Sequence, residues 1–317
     1  MRLAVAATIA CAAILACAAA AAGRAHADPD RTTPPPVRQI AALASAAVED
    51  ARRAIAIGRS GEVYEPDGKG NWVHRLDSST ASAVVAAGRA GDAIVALGDG
   101  VIYRLAGNGW SAIRLVQHGK AILGGGARSL AAVGRQLFAL DQLTRGEPTR
   151  LVQAPADILA IGTGARAIIV ATATGLFRVS GSRLVAVNAA PPHAHPINDR
   201  WAIVDRGAFD LATGKLTSWP PDLAIGVAAS APRDALVAIG TGRTGLELVT
   251  LGGGKLARDP LGVTGAAVGV VVERAGRAVV ALSDGRIAVR DKTGWTTTTV
   301  VDERASEHPG AAPATSD

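Results

Sequence analysis

Short apolar runs separated by tight turns recur along most of the chain, and this pattern decides the predicted architecture. In the clearest copy, residues 83–115, three apolar runs are followed by Trp110, which opens a fourth. Asp99-Gly100 and Asn108-Gly109 separate the later runs and supply the positive φ angles that two-residue hairpin turns require. The pattern predicts four short antiparallel strands joined by three tight turns.

The second run of this unit occurs seven times, at an average spacing of roughly 37 to 38 residues, which indicates a repeat architecture. The copies are Ile55-Ala56-Ile57, Val95-Ala96-Leu97, Phe138-Ala139-Leu140, Val170-Ala171-Thr172, Ala202-Ile203-Val204, Val237-Ala238-Ile239 and Val280-Ala281-Leu282. Four tryptophans, Trp72, Trp110, Trp219 and Trp295, follow their copies by 14 or 16 residues. We expect each of them to pack near the start of a fourth strand, between neighbouring sheets.

Seven four-stranded units of about 40 residues predict an all-β fold, a seven-bladed β-propeller of four-stranded antiparallel blades. The innermost strands must be slim because seven of them converge on one axis. The small-residue candidates are 42–47, 84–88, 123–127, 158–162, 224–229 and 265–269. The fifth unit is the weakest, because the proline-rich segment 191–196 stands where its inner strand should lie. Residues 37–53 show a local helical pattern, but alignment with the other units predicts a strand there.

One segment resembles the Ala-x-Asp-x-x-Thr-Gly-Lys-x-x-Trp repeat of the quinoprotein and outer-membrane-assembly propellers, with one extra residue before the tryptophan. It reads Ala208-Phe209-Asp210-Leu211-Ala212-Thr213-Gly214-Lys215-Leu216-Thr217-Ser218-Trp219. Asp210 can accept backbone N–H bonds across a turn whose left-handed position Gly214 fills. The Asp-Gly turns also look like those of other sugar-, protein- and sensor-type propellers. The chain therefore resembles the β-propeller repeat superfamily, with WD40-like or quinoprotein-like repeats, without matching one family. A dozen residues do not imply the quinone, and no cofactor is expected.

The N-terminus has the three parts of a secretory signal peptide, assigned to residues 1–27. Arg2 is followed by an apolar run from Leu3 to Ala22 and by small residues at Ala25-His26-Ala27. Two alternatives stay open: lipidation at Cys17, within the lipobox-like Ile14-Leu15-Ala16-Cys17, and retention of the run as an anchor. We then expect a flexible Pro-rich linker at 28–39, the propeller at 40–301 and a disordered tail at 302–317. The predicted location is outside the cytoplasm, in the periplasm, the cell envelope or the extracellular space.

Composition restricts the classes of partner. The 317 residues are 49% hydrophobic and carry 37 glycines, which favours a glycine-punctuated β fold over long helices. The two cysteines, Cys11 and Cys17, both lie in the signal segment, so the mature chain has no disulfide. Loss of Arg2 and Arg24 lowers the net charge from +6 to +4, without the basic clusters of a nucleic-acid binder. No later apolar run is long enough for a transmembrane helix, and we expect a monomer.

The candidate nucleotide-binding and metal-binding motifs each lack an element that their chemistry requires. Gly240-Thr241-Gly242-Arg243-Thr244-Gly245 matches the dinucleotide fingerprint, but a strand follows it where that motif needs a helix, so a hairpin is predicted. His193 and His195 have only Asp199 nearby as a further ligand, too few for a metal site. Hydrolase motifs are missing. We therefore expect neither a bound metal nor an enzyme.

Arginine recurs in the turns that join first and second strands, and these turns share one face of a propeller. The arginines are Arg52, Arg53, Arg89, Arg135, Arg166, Arg200, Arg233, Arg274 and Arg277, and the acids beside them are Glu49, Asp50, Asp92, Asp199, Asp234 and Glu273. Two interpretations remain: a solvated rim of mixed charge, or a shallow anion-preferring binding face. The binding hypothesis rests on Arg89, Arg135, Arg166, Arg200, Arg233 and Arg277.

The predicted function is that of an exported cell-envelope propeller serving as a non-catalytic binding or scaffold protein for a protein or anionic polymer. Rigid propellers present broad, loop-lined faces that dock partners without chemistry. The alternative is a propeller enzyme, a lyase, a lactonase or a quinoprotein-like protein, with its site in the axial channel. Such sites gather ionisable side chains on the inner strands, whereas the inner strands here are rich in Ala, Gly and Val.

Overall fold

The computed structural model contains only β-strands in the ranges that it describes, which confirms the all-β class. It describes residues 39–49, 53–76, 80, 82–90, 93–98, 101–106, 109–114, 121–126, 130–140, 148–187, 190–232, 235–273 and 276–302. The predicted signal peptide (1–27) with Cys17, nearly all of the linker, most of the tail, Asp99-Gly100 and Asn108 lie outside these ranges. Within them, no helix is long and apolar enough to cross a bilayer.

The first half of the chain contains one short terminal strand and the strands of three blades. They are β1 (Gln39–Ile40), then β2 (Leu43–Glu49), β3 (Arg53–Gly58), β4 (Val63–Pro66) and β5 (Trp72–Leu76) in blade 1, β6 (Ala86–Ala90), β7 (Ala93–Leu97), β8 (Val101–Ala106) and β9 (Gly109–Arg114) in blade 2, and β10 (Ala121–Gly126), β11 (Leu130–Val133), β12 (Gln136–Ala139) and β13 (Thr149–Gln153) in blade 3.

The second half forms four further blades and the last short strand. They are β14 (Ile158–Thr163), β15 (Ile168–Thr172), β16 (Gly175–Ser180) and β17 (Arg183–Ala186) in blade 4, β18 (His195–Pro196), β19 (Trp201–Val204), β20 (Gly207–Asp210) and β21 (Lys215–Ser218) in blade 5, β22 (Ala224–Ala231), β23 (Ala235–Gly242), β24 (Gly245–Gly252) and β25 (Lys255–Pro260) in blade 6, β26 (Ala267–Val272), β27 (Ala278–Leu282), β28 (Arg286–Arg290) and β29 (Trp295–Thr299) in blade 7, and β30 (Val301–Asp302).

Successive strands pair antiparallel within every blade, so the described chain is a seven-bladed β-propeller of four-stranded sheets, as predicted. The first and last strands close the ring. β1 pairs antiparallel with β30, joining Gln39 to Asp302 and Ile40 to Val301. The Ala41 N–H continues this ladder by donating to the Val300 carbonyl at 3.0 Å. The two ends of the propeller are thus held side by side.

The hydrophobic core lies between the blades. In the described ranges the buried side chains form seven clusters, and each cluster draws its members from two adjacent blades. The cluster between blades 7 and 1, for example, joins Val279 and Ile287 to Tyr64 and Trp72. Because every blade is packed on both sides, its apolar residues alternate between two clusters rather than between core and solvent.

The inner strands approach one another so closely that glycine is required at specific points. A Cβ on Gly269 of β26 would lie 2.5 Å from the Ala46 nitrogen of β2, and one on Gly162 of β14 would lie 2.9 Å from the Asn198 nitrogen. The inner strands of blades 3 and 4 even form two parallel backbone pairs. Across the axis, Cα atoms of β10 come within 8 Å of those of β22. The expectation that the inner strands are built from small residues is confirmed.

Several local predictions are also confirmed. Residues 43–49 form strand β2 and not a helix. Gly240–Gly245 closes the β23–β24 hairpin, with a strand following it. Asp210 Oδ1 accepts the N–H groups of Ala212 at 2.9 Å and Thr213 at 3.2 Å, and Gly214 takes a φ of 69°. The inner strand of blade 5 is reduced to two residues, at the proline-rich segment where the repeat is weakest.

Two predictions from the repeat alignment are wrong. In blade 3 the second strand is β11 (Leu130–Val133), and Phe138 and Ala139 belong to the third strand, β12. Both strands are apolar and only two residues separate them, so the periodicity selected the later one. Trp219 follows the fourth strand of blade 5, whereas Trp72, Trp110 and Trp295 lie at or next to the start of theirs. Trp219 is nevertheless buried between blades 5 and 6.

The inner-strand contact can be tested with a matched pair of substitutions. Gly269→Ala should lower the free energy of unfolding by about 1–3 kcal/mol, because the new methyl group overlaps the backbone of blade 1. Gly226→Ala on β22 is the control, since its Cβ would lie 3.8 Å from the Ile239 carbonyl oxygen, an ordinary van der Waals distance. There we expect a change within about 1 kcal/mol. Urea unfolding measures both, and equal losses would refute the requirement for glycine at this contact.

Candidate functional site

The candidate site is the side of the ring that carries the first-to-second and third-to-fourth turns, called here the arginine face. In antiparallel sheets these two kinds of turn close the same strand ends, and blade 5 shows their proximity directly. Arg200, in the first-to-second turn, donates from Nε at 3.3 Å and Nη2 at 3.2 Å to Asp210 Oδ2, at the start of the third-to-fourth turn. The other side of the ring, with the second-to-third turns and the connections between blades, is called the opposite face.

The structure brings three of the six proposed binding arginines to the arginine face. Arg166, Arg200 and Arg277 lie in the turns before β15, β19 and β27. Arg89 lies near the end of β6, next to the corresponding turn, but its side chain is outside the described part of the structure. Arg233 is also outside the described residues.

Arg135 is a correction. It lies in the two-residue turn between β11 and β12, a second-to-third turn, and therefore on the opposite face. The cause is the misplaced second strand of blade 3, which shifted the predicted turn by one hairpin. The Arg135 Nε donates to the Ala154 carbonyl at 2.9 Å, so the side chain supports the connection to blade 4.

Arg200 is held by its surroundings. Its guanidinium is paired with Asp210, which is buried, and its Cζ lies 5.1 Å from the Trp201 ring centroid. Asp210 also caps the turn through Oδ1. An ion pair and a cation–π contact together fix the side chain, so that much of its charge is satisfied within blade 5.

Arg277 takes part in the junction that closes the ring. It donates to both carboxylate oxygens of Glu273, at 3.0 and 2.9 Å, and Glu273 is only 5% exposed. Glu273 Oε1 in turn accepts the Ala54 N–H of blade 1 at 2.9 Å. This carboxylate joins the two blades that are furthest apart in the sequence, and Arg277 neutralises it.

Acidic and amide side chains fasten other blades in the same manner. Asp199 of blade 5 accepts the N–H groups of Arg166 at 2.8 Å and Ala167 at 3.2 Å, both in blade 4. Asn198 donates to the Ser230 hydroxyl of blade 6 at 3.1 Å. Asp199, like Glu273, is therefore engaged in joining blades. The Arg166 guanidinium is exposed and joins no carboxylate of the described chain.

Sequence analysis missed a set of exposed cations at the outer edge of the arginine face. They lie in the third-to-fourth turns of consecutive blades or at the first residue after them: Arg183 in blade 4, Lys215 in blade 5, Lys255 in blade 6, Lys292 in blade 7 and Lys69 in blade 1. Four of the five lysines in the chain are in this set, each within two residues of a glycine. That spacing is visible in the sequence and could have identified them.

His193 and His195, the pair of histidines considered in the sequence analysis, both lie in the described part of blade 5. His193 is exposed in a turn with a φ of 58°, and His195 begins the two-residue inner strand of blade 5. Burial lowers the pKa of His195 below its usual value, so the neutral form is favoured. Over the described residues, no three His, Cys, Asp or Glu side chains are grouped closely enough to hold a metal ion.

Comparisons with solved structures show the same architecture. The WD40 β-propeller domain of Doa1 matches with a TM-score of 0.57 and 12% identity, over 82% of this chain and 99% of that one. A streptogramin B lyase matches with 0.59 and 13%, over 82% and 94%. YCF48 bound to a D1 peptide matches with 0.59 and 14%, over 79% and 93%.

The chain is a β-propeller. The resemblance to propeller repeat proteins is thus confirmed at the level of the fold, and identities this low carry no family or activity with them. No family model and no curated protein matches the sequence.

The role of Glu273 in closing the ring can be measured. Glu273→Ala should lower the free energy of unfolding by about 2–4 kcal/mol, because it leaves the Ala54 N–H and Arg277 without their buried partner. Asp284→Ala on the opposite face is the control. Its ion pair with Arg286 is exposed, so a loss below about 1 kcal/mol is expected. A comparable loss in both variants, measured by chemical denaturation, would contradict a special role for Glu273.

Proposed function

We propose that this protein is a non-catalytic binding or scaffold protein whose rigid propeller presents a surface to a protein or anionic polymer partner. The main support is the close packing of the inner strands around the propeller axis, a region called here the hub. Gly269 and Gly162 place backbone against backbone, and strands from opposite sides of the ring approach within 8 Å. A hub of this kind leaves little room for a substrate, while the loop-lined surfaces stay accessible.

The arginine face is the better candidate for the partner surface. Its first-to-second turns, near the axis, contain Arg166 and the paired Arg200 and Arg277. Its third-to-fourth turns, near the outer edge, add an exposed cation at or directly after the turn in each of five consecutive blades. Mixed charge with an excess of cations favours a partner of complementary, mainly acidic pattern. On the opposite face, Arg258 and Arg286 are paired with the acids beside them, whereas Arg206 and Arg243 are exposed there.

The comparisons are compatible with this proposal. YCF48 in the matched structure is bound to a D1 peptide, and the matched part of Doa1 is a WD40 β-propeller domain. The streptogramin B lyase shows that an enzyme can share the same architecture. The proposal of a non-catalytic role therefore rests on the packed hub and on the composition of the surface rather than on the fold.

A photo-crosslinking experiment tests the binding role and its location. A benzophenone amino acid is introduced in place of Arg166 on the arginine face or of Arg206 on the opposite face, both exposed. In extracts of cell envelope and medium, we expect a specific crosslinked product from position 166 and none from 206. Products from 206 alone would move the surface to the opposite face, and no product together with small-molecule turnover would refute the binding role.

We further propose that residues 1–27 direct export, and that the protein acts in the periplasm, the cell envelope or outside the cell. The support is the sequence of basic, apolar and small residues ending at Ala27. Intact mass analysis of the protein from its native host should give a chain that begins at Asp28. An acylated chain that begins at Cys17 would replace simple secretion with lipid anchoring. A chain that keeps residues 1–27 and stays in the cytoplasm would refute export.

A further inference from the structure

Blades 4 and 5 are neighbours in the ring, and the outer part of the junction between them, beyond its buried cluster, is called here the blade 4–5 groove. In blade 4, strand register aligns Ile169, Arg178 and Val185 side by side across β15, β16 and β17. Residues aligned in this way share one side of a sheet. Ile169 packs in the same buried cluster as Ala202 of blade 5, so this is the side of blade 4 that faces blade 5.

The facing wall of blade 5 follows from the same argument. Ala202, Phe209 and Leu216 are aligned across β19, β20 and β21. Because Ala202 packs against blade 4, Leu216 lies on the side that faces blade 4. Val185 and Leu216, on the outermost strands of the two blades, therefore point toward each other across the blade junction.

The junction is packed at its inner end and open at its outer end. Ile169 and Ala202 are fully buried, whereas Val185 is 54% and Leu216 49% exposed. The blades also differ in size, because β19, β20 and β21 have four residues each while β16 has six. Two large apolar side chains are left uncovered on opposite walls of one groove.

The wall formed by blade 4 is strongly basic. Residues 158–187 are all described and contain Arg166, Arg178 and Arg183 but no Asp or Glu. Arg178 is aligned with Val185, and Arg183 is two residues before Val185 on the same strand, so both arginines share its side of the sheet. Both are exposed, and neither joins a carboxylate in the described ranges. Guanidinium groups in this position suit carboxylates, which they bind in a planar, two-pronged geometry.

We propose that the groove between the outer strands of blades 4 and 5 binds an extended acidic and apolar segment of a partner protein. Apolar side chains of the segment would lie between Val185 and Leu216, and its carboxylates would pair with Arg178 and Arg183. The inference rests on the proposed binding function and gives it a site and a partner chemistry. An extended segment fits because β17 is the last strand of its blade, and the outer edge of its backbone pairs with no other strand among the described residues.

Charge complementarity selects this occupant. A flat bilayer surface does not enter a groove between two blades, and an apolar segment without acids would leave the arginines unpaired. A second copy of this chain would have to bring acidic residues to the groove of its partner. Self-association is therefore a separate outcome of the test.

The test uses the purified protein and three fluorescent peptides of equal length, alternating Leu with Glu, Ser with Glu, or Leu with Lys. We expect the Leu-Glu peptide to bind at least about tenfold more tightly than the Ser-Glu peptide, since it adds buried apolar contacts. The Leu-Lys peptide should not bind. Sedimentation of the protein alone should show a monomer.

The variants separate the apolar and the ionic parts of the groove. Val185→Ser with Leu216→Ser should weaken Leu-Glu binding about tenfold, to the level of the Ser-Glu peptide. Arg178→Glu with Arg183→Glu should abolish it. The matched controls are Val73→Ser, at a 42% exposed valine on the outer strand of blade 1, and Arg206→Glu with Arg243→Glu on the opposite face. The controls should bind as the unmodified protein does, and all variants should keep its melting temperature within a few degrees.

The possible results either support or overturn the proposal. Equal losses in the groove variants and the controls would overturn it, and so would tight binding of the Leu-Lys peptide. A dimer that Leu216→Ser dissociates would assign the groove to a second copy of the chain. A partner crosslinked from Arg166 that binds the groove variants normally would refute the groove while the proposed binding function stands. If no crosslinked product forms and the protein turns over a small molecule, both the groove and the proposed binding function are refuted.

Discussion

Seven inner strands converge on one axis, and the lack of space between them governs the rest of the molecule. At Gly269 and Gly162 a single methyl group would overlap a neighbouring backbone. The hub can therefore hold little hydrophobic volume, and the apolar side chains are buried between adjacent blades instead. Each junction becomes a small core of its own, and the ring is stable only when every junction, including that of blades 7 and 1, is formed.

The same constraint explains how charge is used on the arginine face. Where glycine brings two inner strands into backbone contact there is no space for a side chain, and several blades are linked instead at their ends by Asn198, Asp199 and Glu273, which accept or donate bonds across junctions. Arg277 balances the most buried of these acids. Arginines that the sequence analysis assigned to a basic binding rim, such as Arg200 and Arg277, therefore stabilise the fold by pairing with acids. Among the described residues, the cations that join no carboxylate include Arg166, Arg178 and Arg183 of blade 4, whose residues 158–187 contain no acid.

The sequence predicted the fold well because the repeat is written in local features: apolar runs, glycine turns and tryptophans at a regular spacing. It failed where two neighbouring runs were equivalent, as at Leu130–Val133 and Phe138–Leu140, because periodicity alone cannot choose between adjacent strands of one blade. That single error placed Arg135 on the wrong face. The blade 4–5 groove could not be predicted from the sequence. The face of the sheet on which Val185 and Leu216 lie depends on strand register and on where the short strands of blade 5 begin and end. The absence of acids in blade 4, however, was visible.

The closure of the ring by β1 and β30 also has a mechanical consequence. In the described part of the chain, Gln39 and Asp302 form the outer of two backbone pairs, and because the strands are antiparallel both termini continue from the same end of this ladder. A force pulling the two termini apart would load the pairs one after the other, as in a zipper, rather than shear them together. The seam between blades 1 and 7 is therefore the point at which the ring would open under tension, while the other six junctions are bridged by continuous chain.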